Sequence, residues 1–334
     1  MSNVESAPVE VVCTAVERGP GPAQVRLLEP RDVPLGGPRA MSVRRTLPQR
    51  ALSLIGAWCF VDHYGPDDVA RTGGMDVPPH PHTGLQTVSW LFSGQVEHRD
   101  SAGHIATIGP GALSLMTAGS GISHSERSTS ETTTLHGVQL WVALPEEARF
   151  GDRAFDHYEP PVLRGDGYTA QVFLGSAFGH TSPVATATEL LGAEVRLDPG
   201  AEVSLTPSGI FELGVLVDHG TVTADGTPVP TDHLAFREAC ADPITLTAGE
   251  QGARVLVIGG PPFGEQIVMW WNFVGRSHDE IVAYRQAWQA EIGAAAGADG
   301  GAPRAQFGIP DDPGDPLPAP TLPPVRIKPR GAPR

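Results

Sequence analysis

Three cysteines in 334 residues (Cys13, Cys59 and Cys240) are too few and too scattered for a disulfide framework or a thiolate zinc cluster. Lysine occurs once, at Lys328, and the 38 acidic residues outnumber the 23 basic ones for a formal net charge of −15. A chain with no basic stripe is poorly suited to a phosphate backbone, which argues against direct nucleic-acid binding. No apolar run approaches the ~20 residues needed to cross a bilayer. Nor do the first twelve residues, with Glu5 and Glu10, read as a basic flank followed by the apolar stretch of a secretory leader. The expectation is a cytoplasmic, monomeric protein with no membrane role.

What the chain has in excess is glycine (40) and proline (33), a composition that suits short strands joined by many turns. From Arg44 to Leu144 candidate strands follow one another at 85–92, 95–99, 105–108 and 138–144. They are broken at Ser93-Gly94, Ala102-Gly103 and Pro110-Gly111. A second strand-rich block runs from about Tyr168 to Gly260, with strands at 193–197, 213–217 and 254–258. One helix is predicted after it: Ser277 and Glu280 form a capping box, and Ile281, Tyr284, Trp288 and Ile292 share a face that should cover barrel surface. Trp270 and Trp271 read as packing residues between the two blocks. The domain reading is a loose N-terminal arm over 1–40, a first barrel over 41–150, a second barrel with its helix over 151–292, and a disordered Gly/Ala/Pro-rich tail over 293–334.

The two blocks align as a repeat. The stretch Leu85 to Gly94 lies over Phe211 to Gly220, both apolar strands ending at a glycine turn. In that register His80-Pro81-His82 falls over Thr206-Pro207-Ser208, and with a loop about five residues shorter His124 and Glu126 fall near Thr245 and Thr247. The second block thus reads as a copy of the first with its polar pairs replaced.

Those pairs carry the chemistry. His80 and His82 are separated by one residue, so an extended segment turns both imidazoles to one face. His124-Ser125-Glu126 repeats the spacing about forty residues later. Either pair alone is commonly a polar surface strand, but two on neighbouring strands of a barrel converge on one interior point. Three imidazoles and a carboxylate suit iron, nickel, copper, manganese or zinc better than calcium or magnesium. His98 and Asp100 either brace a ligand from behind or, more simply, pin the turn at Ala102-Gly103. His63 lines the pocket mouth or sits hydrogen-bonded in the core. For His104, His136, His157, His180, His219, His233 and His278 the sequence names no partner.

Gly74 followed by His80-x-His82 resembles the first cupin motif, with Gln86 where that motif expects glutamate. The longer run from His80 to Trp90, then Gly94 to Gly103, Pro110-Gly111 and Met116 to Glu126, resembles the pirin family. Asp62-His63-Tyr64-Gly65-Pro66 and the stretch from Gly259 through Trp270-Trp271 to Asp279-Glu280-Ile281 are similar to it as well. The match runs in ordered pieces over roughly residues 25 to 290. It implies an all-β bicupin, two jelly-roll β-barrels packed face to face with a C-terminal helix, and Fe(II) held by His80, His82, His124 and Glu126 in the first barrel alone. The position of Gln86 is not a ligand in pirins, so the departure affects charge beside the metal and not the ligand set. Two roles follow from the resemblance. One is a quercetin 2,3-dioxygenase-like enzyme in which Glu126 serves as general base toward a small aromatic flavonol. The other is a redox-sensing regulatory module that docks on a partner protein.

Overall fold

The computed structural model of the chain describes residues 25–35, 41–293 and 305–330. Its strands form two barrels on one plan. In the first, a seven-stranded sheet is ordered Ala154–Tyr158, Leu113–Thr117, Leu85–Ser93, Thr134–Ala143, Trp58–Asp68, Met41–Leu47, Arg31–Leu35. A four-stranded sheet, Asp76–His82, Ile122–Ser128, Val96–Asp100, Ile105–Ile108, completes it. The second barrel repeats the larger sheet as Val25–Leu28, Leu234–Cys240, Phe211–Ala224, Ile244–Gly260, Leu191–Leu197, Tyr168–Leu174, Leu163–Gly165. Its smaller sheet is made by long strands that change partners. Phe211–Ala224 pairs near its end with Thr227–Val229, and Ile244–Gly260 pairs near its start with Glu202–Leu205.

The repeat read in the sequence is therefore architectural, but its register is displaced. The strand Glu202–Leu205 sets Ser204 opposite Thr245, just as His80 lies opposite His124, while Thr206-Pro207-Ser208 falls beyond its end. The second barrel's interior is filled by Val172, Val195, Leu213, Val215, Leu246 and Val257. Among the described residues, no group of three metal-type donors lies inside that apolar filling.

The barrels share a core where their large sheets meet. Side chains alternate along a strand, so Leu85–Ser93 sends Val88, Trp90 and Phe92 to the seam and Leu85, Ser89 and Leu91 into the first barrel. Both faces are buried, which explains the apolar text of this strand. Trp58, Val138, Leu140, Leu216, Leu256 and Ile258 complete the seam. Polar ties also cross it. Trp58 Nε1 donates to Gly259 O at 3.0 Å, the Gly56 amide to Glu212 Oε2 at 2.7 Å, and Trp90 Nε1 to Glu194 Oε2 at 2.7 Å. Trp90→Phe keeps the ring but removes a donor from a buried carboxylate. It should cost about 1–3 kcal/mol in urea unfolding, and unchanged stability would show that Glu194 is satisfied by Arg196 alone.

Three sequence expectations need correction. The N-terminal arm is not loose where described: Val25–Leu28 pairs with Leu234–Cys240 and Arg31–Leu35 with Met41–Leu47, while the rest of 1–40 lies outside the described residues. Trp270 and Trp271 do not sit between the barrels. They pack with Phe273 beneath the helix His278–Glu291, which starts at Ser277, whose Oγ accepts the Glu280 amide, and buries Ile281, Tyr284 and Trp288. The tail is ordered over 305–330, with Phe307 fully buried against Trp288 and Phe273. A segment without periodicity can still be fixed by a few apolar anchors and by hydrogen bonds to a surface already folded. Residues 294–304 and 331–334 lie outside the described residues.

Candidate metal centre

The strands Asp76–His82 and Ile122–Ser128 run antiparallel with His80 opposite His124, and a register shift between His124 and Glu126 lets the second pair splay. All four predicted residues are buried, and His124 links them through two overlapping groups of donors. The donor atoms of His80, His82 and His124 lie within 4.8 Å of one another, as do those of His98, His124 and Glu126. His82 Nε2 stands 3.1 Å from His124 Nε2, and the His80 and His124 rings are 4.4 Å apart.

The partners of the other ring nitrogens fix the tautomers. His80 Nδ1 meets Pro78 O at 2.9 Å and His82 Nδ1 meets Asn272 O at 3.2 Å. A carbonyl only accepts, so each Nδ1 carries the proton and each Nε2 keeps its lone pair. Asn272 reaches His82 because the turn after it is tight. Gly84 has φ 64°, and a Cβ there would come within 2.4 Å of Val274 O.

For His124 the support is a chain of side chains. Its Nδ1 lies 3.3 Å from His98 Nδ1, and His98 Nε2 lies 3.4 Å from Asp100 Oδ2. The carboxylate takes the His98 Nε2 proton. His98 Nδ1 then accepts from His124 Nδ1, and His124 Nε2 is left facing His82. Asp100 also accepts the Ala102 and His104 amides, so it braces the histidine and pins the turn at once. Burial alone would raise its carboxyl, but hydrogen bonds from His98 and the His104 amide outweigh it and hold Asp100 below the ordinary carboxylate range. The sequence showed His98 and Asp100 only as alternating residues. Their cross-strand partners, Glu126 for His98 and His124 for Asp100, come from the ladder.

Burial, reinforced by one imidazole crowding another, holds His80, His82 and His124 well below the ordinary histidine range, in the neutral form that ligates. His80 Nε2 is buried with no hydrogen-bond partner among the described residues. Glu126 Oε1 is 3.2 Å from Ser89 Oγ, which also lies 2.8 Å from Gln139 Oε1. Three converging lone pairs, one of them orphaned, and a carboxylate alongside fit a divalent transition ion. His98→Phe would retain the stack on Phe155 (4.6 Å between ring centroids) but remove the acceptor behind His124. It should weaken metal binding about 10–100-fold, read by competition with a chelator; unchanged affinity would rule out this bracing.

Comparison with known proteins agrees with the geometry. The pirin family model matches residues 40–142 and the model of the pirin C-terminal cupin domain matches 192–292. A Pseudomonas aeruginosa protein named "Putative quercetin 2,3-dioxygenase" is 41% identical over 78% of this chain and 82% of its own. A Caulobacter vibrioides pirin-like protein is 36% identical over 74% of this chain and 88% of its own. The crystal structure of quercetin 2,3-dioxygenase from Acinetobacter baumannii is 35% identical, covers 91% of this chain and 98% of its own, and superposes with a TM-score of 0.82. The chain belongs to the pirin family: it is a bicupin whose first barrel carries a buried histidine and glutamate cluster suited to a divalent metal.

Proposed function

We propose that the protein is an iron-dependent dioxygenase that opens the central ring of a flavonol such as quercetin with oxygen and releases carbon monoxide. His80, His82, His124 and Glu126 would hold the ferrous ion. The observation that carries the reading is the convergence of three imidazole Nε2 atoms on one buried point beside a carboxylate. Relatives named as quercetin dioxygenases supply the substrate class. The reading extends to a monomer working in the cytoplasm.

When bound, the ion supplies Lewis acidity that lowers the pKa of a substrate hydroxyl, together with redox chemistry toward oxygen. The chain's own residues do the rest. Glu126 takes the hydroxyl proton on a carboxylate oxygen as general base, a contribution of typically about 10²–10⁴-fold. The Ser89 hydroxyl, 3.2 Å from Oε1, is positioned to orient that carboxylate by donating to it. The stack of Phe60 on Trp141, with ring centroids 4.1 Å apart, stands edge-on to His82 and forms a flat apolar wall that keeps water away.

The test is anaerobically loaded ferrous protein offered a panel of flavonols, with oxygen uptake and carbon monoxide measured together. One carbon monoxide released per oxygen consumed supports the enzyme. A chain that holds one iron and turns over none of the panel sinks the enzyme reading for this substrate class. The regulatory reading would gain if the same protein captured a partner in one iron oxidation state alone.

A further inference from the structure

A second group of metal-type donors converges away from the first centre, and it draws on both barrels. His63 comes from the strand Trp58–Asp68, His136 from Thr134–Ala143 and Asp218 from Phe211–Ala224. His63 Nε2 lies 3.3 Å from His136 Nε2 and 2.8 Å from Asp218 Oδ1; His136 Nε2 lies 2.6 Å from the same oxygen. All three residues are buried. Such a triad can share protons, and it is also the donor set of a borderline divalent ion.

Two features favour the ion. Ligands bonded at ~2.0–2.1 Å around a tetrahedral zinc stand roughly 3.3 Å apart. The two Nε2 atoms of the seam have that separation, close to the 3.1 Å between His82 and His124 in the first barrel, while Asp218 Oδ1, at 2.8 and 2.6 Å from them, would move outward by about half an ångström to share an ion. His63 also turns its other nitrogen to a carboxylate, with Nδ1 3.1 Å from Asp232 Oδ1. An ion at the centre would displace the proton that His63 Nε2 shares with Asp218 Oδ1 and leave Nδ1 donating to Asp232, as in the carboxylate–histidine pairs behind many zinc ligands. Arg44 Nε meets the same Asp232 oxygen, 3.0 Å away. Arg254 takes Asp218 Oδ2, which leaves Oδ1 for the centre. The same two arginines set a limit. Arg254 approaches His136 Nδ1 and Arg44 approaches His63 Nδ1, both at 3.4 Å, so a cation here is bound more weakly than in the first barrel. The side chains of Arg44 and Asp232 are 27% and 31% exposed, so the seam reaches solvent on this side.

We infer that His63, His136 and Asp218 form a second metal site that takes one zinc ion, with water in the fourth position, and clasps the first barrel to the second. The probe is zinc chloride added to chelator-stripped full-length protein carrying His80→Ala and His124→Ala, so that the first cluster is disabled. One zinc should bind per chain. Crystals soaked in zinc should show an anomalous peak between the Nε2 atoms of His63 and His136. Free zinc a hundredfold above the dissociation constant should raise the melting temperature by roughly 5 °C. Adding His136→Gln should remove that equivalent and leave the circular dichroism unchanged. A peak confined to the first cluster, or no peak at all, overturns the inference, and so does full zinc binding by the His136→Gln chain. Should that variant fail to fold, the anomalous map of the parent decides alone. The readout is zinc occupancy, so failure of flavonol turnover leaves it untouched.

Discussion

A His124→Ala chain is expected to leave ferrous reconstitution holding about a tenth or less of the wild-type iron at equal free metal. His124 sits at the middle of the cluster. Its Nε2 faces His82 Nε2 at 3.1 Å, its ring lies 4.4 Å from that of His80, and its donor group is grouped with both the His80–His82 pair and the His98–Glu126 pair. Loss of a hydrogen-bond partner behind a ligand costs about 10–100-fold in affinity, and removing the ligand itself must cost more. The vacated space also leaves His98 Nδ1 without the imidazole it supports. Elemental analysis after desalting measures the effect, with circular dichroism to show that both barrels persist. Stoichiometric iron in the folded variant would mean that these residues do not hold the metal, and flavonol turnover would then have no seat in this barrel.

The candidate cluster was legible because the spacing of its pairs is local. Two residues spaced i and i+2 share a face of any strand, so His80 with His82 and His124 with Glu126 could be paired before the barrel was known. Ser277 with Glu280 announced the helix for the same reason, since a capping box closes within one turn. What escaped depends on contacts between distant segments. His98 became a support for His124 only through the antiparallel ladder of Val96–Asp100 with Ile122–Ser128. His63 meets His136 across 73 residues and Asp218 across 155, and no spacing rule reaches that far. Apolar alternation along Leu85–Ser93 was hidden because both faces of the strand are covered. The repeat survived as architecture but slipped in register, since weak strand patterns align about equally well when shifted by a residue pair.

Ending the chain after Gly293 should lower stability by at least about 3–5 kcal/mol, the cost of removing a buried aromatic ring alone. Composition argued for an idle tail, and the contacts argue otherwise. Phe307 fills the space between Trp288 and Phe273, and Trp288 Nε1 donates to Leu317 O at 2.8 Å. The Glu291 carboxylate accepts the amides of Gln306, Phe307 and Gly308, which ties the segment to the end of the helix. The segment then crosses the outward face of the strands that carry the centre. Ser123 Oγ donates to Gly308 O, Ser125 and Arg127 bond Asp312, and the Leu317 amide donates to Pro79 O. Ser123 and Ser125 flank His124, while Ser125 and Arg127 flank Glu126, so the strap presses on the strand whose inward side holds the donors. Two point variants separate the effects. Phe307→Ala should lower the melting temperature by roughly 6–10 °C while metal affinity at room temperature stays near wild type. Asp312→Ala should change the melting temperature less and loosen metal binding instead, because it frees Ser125 and Arg127 without opening the apolar cluster. If deletion of the tail shifts neither melting temperature nor metal affinity, the packing of 305–330 contributes nothing to the first barrel, and the ligand strands must be held by their ladders alone.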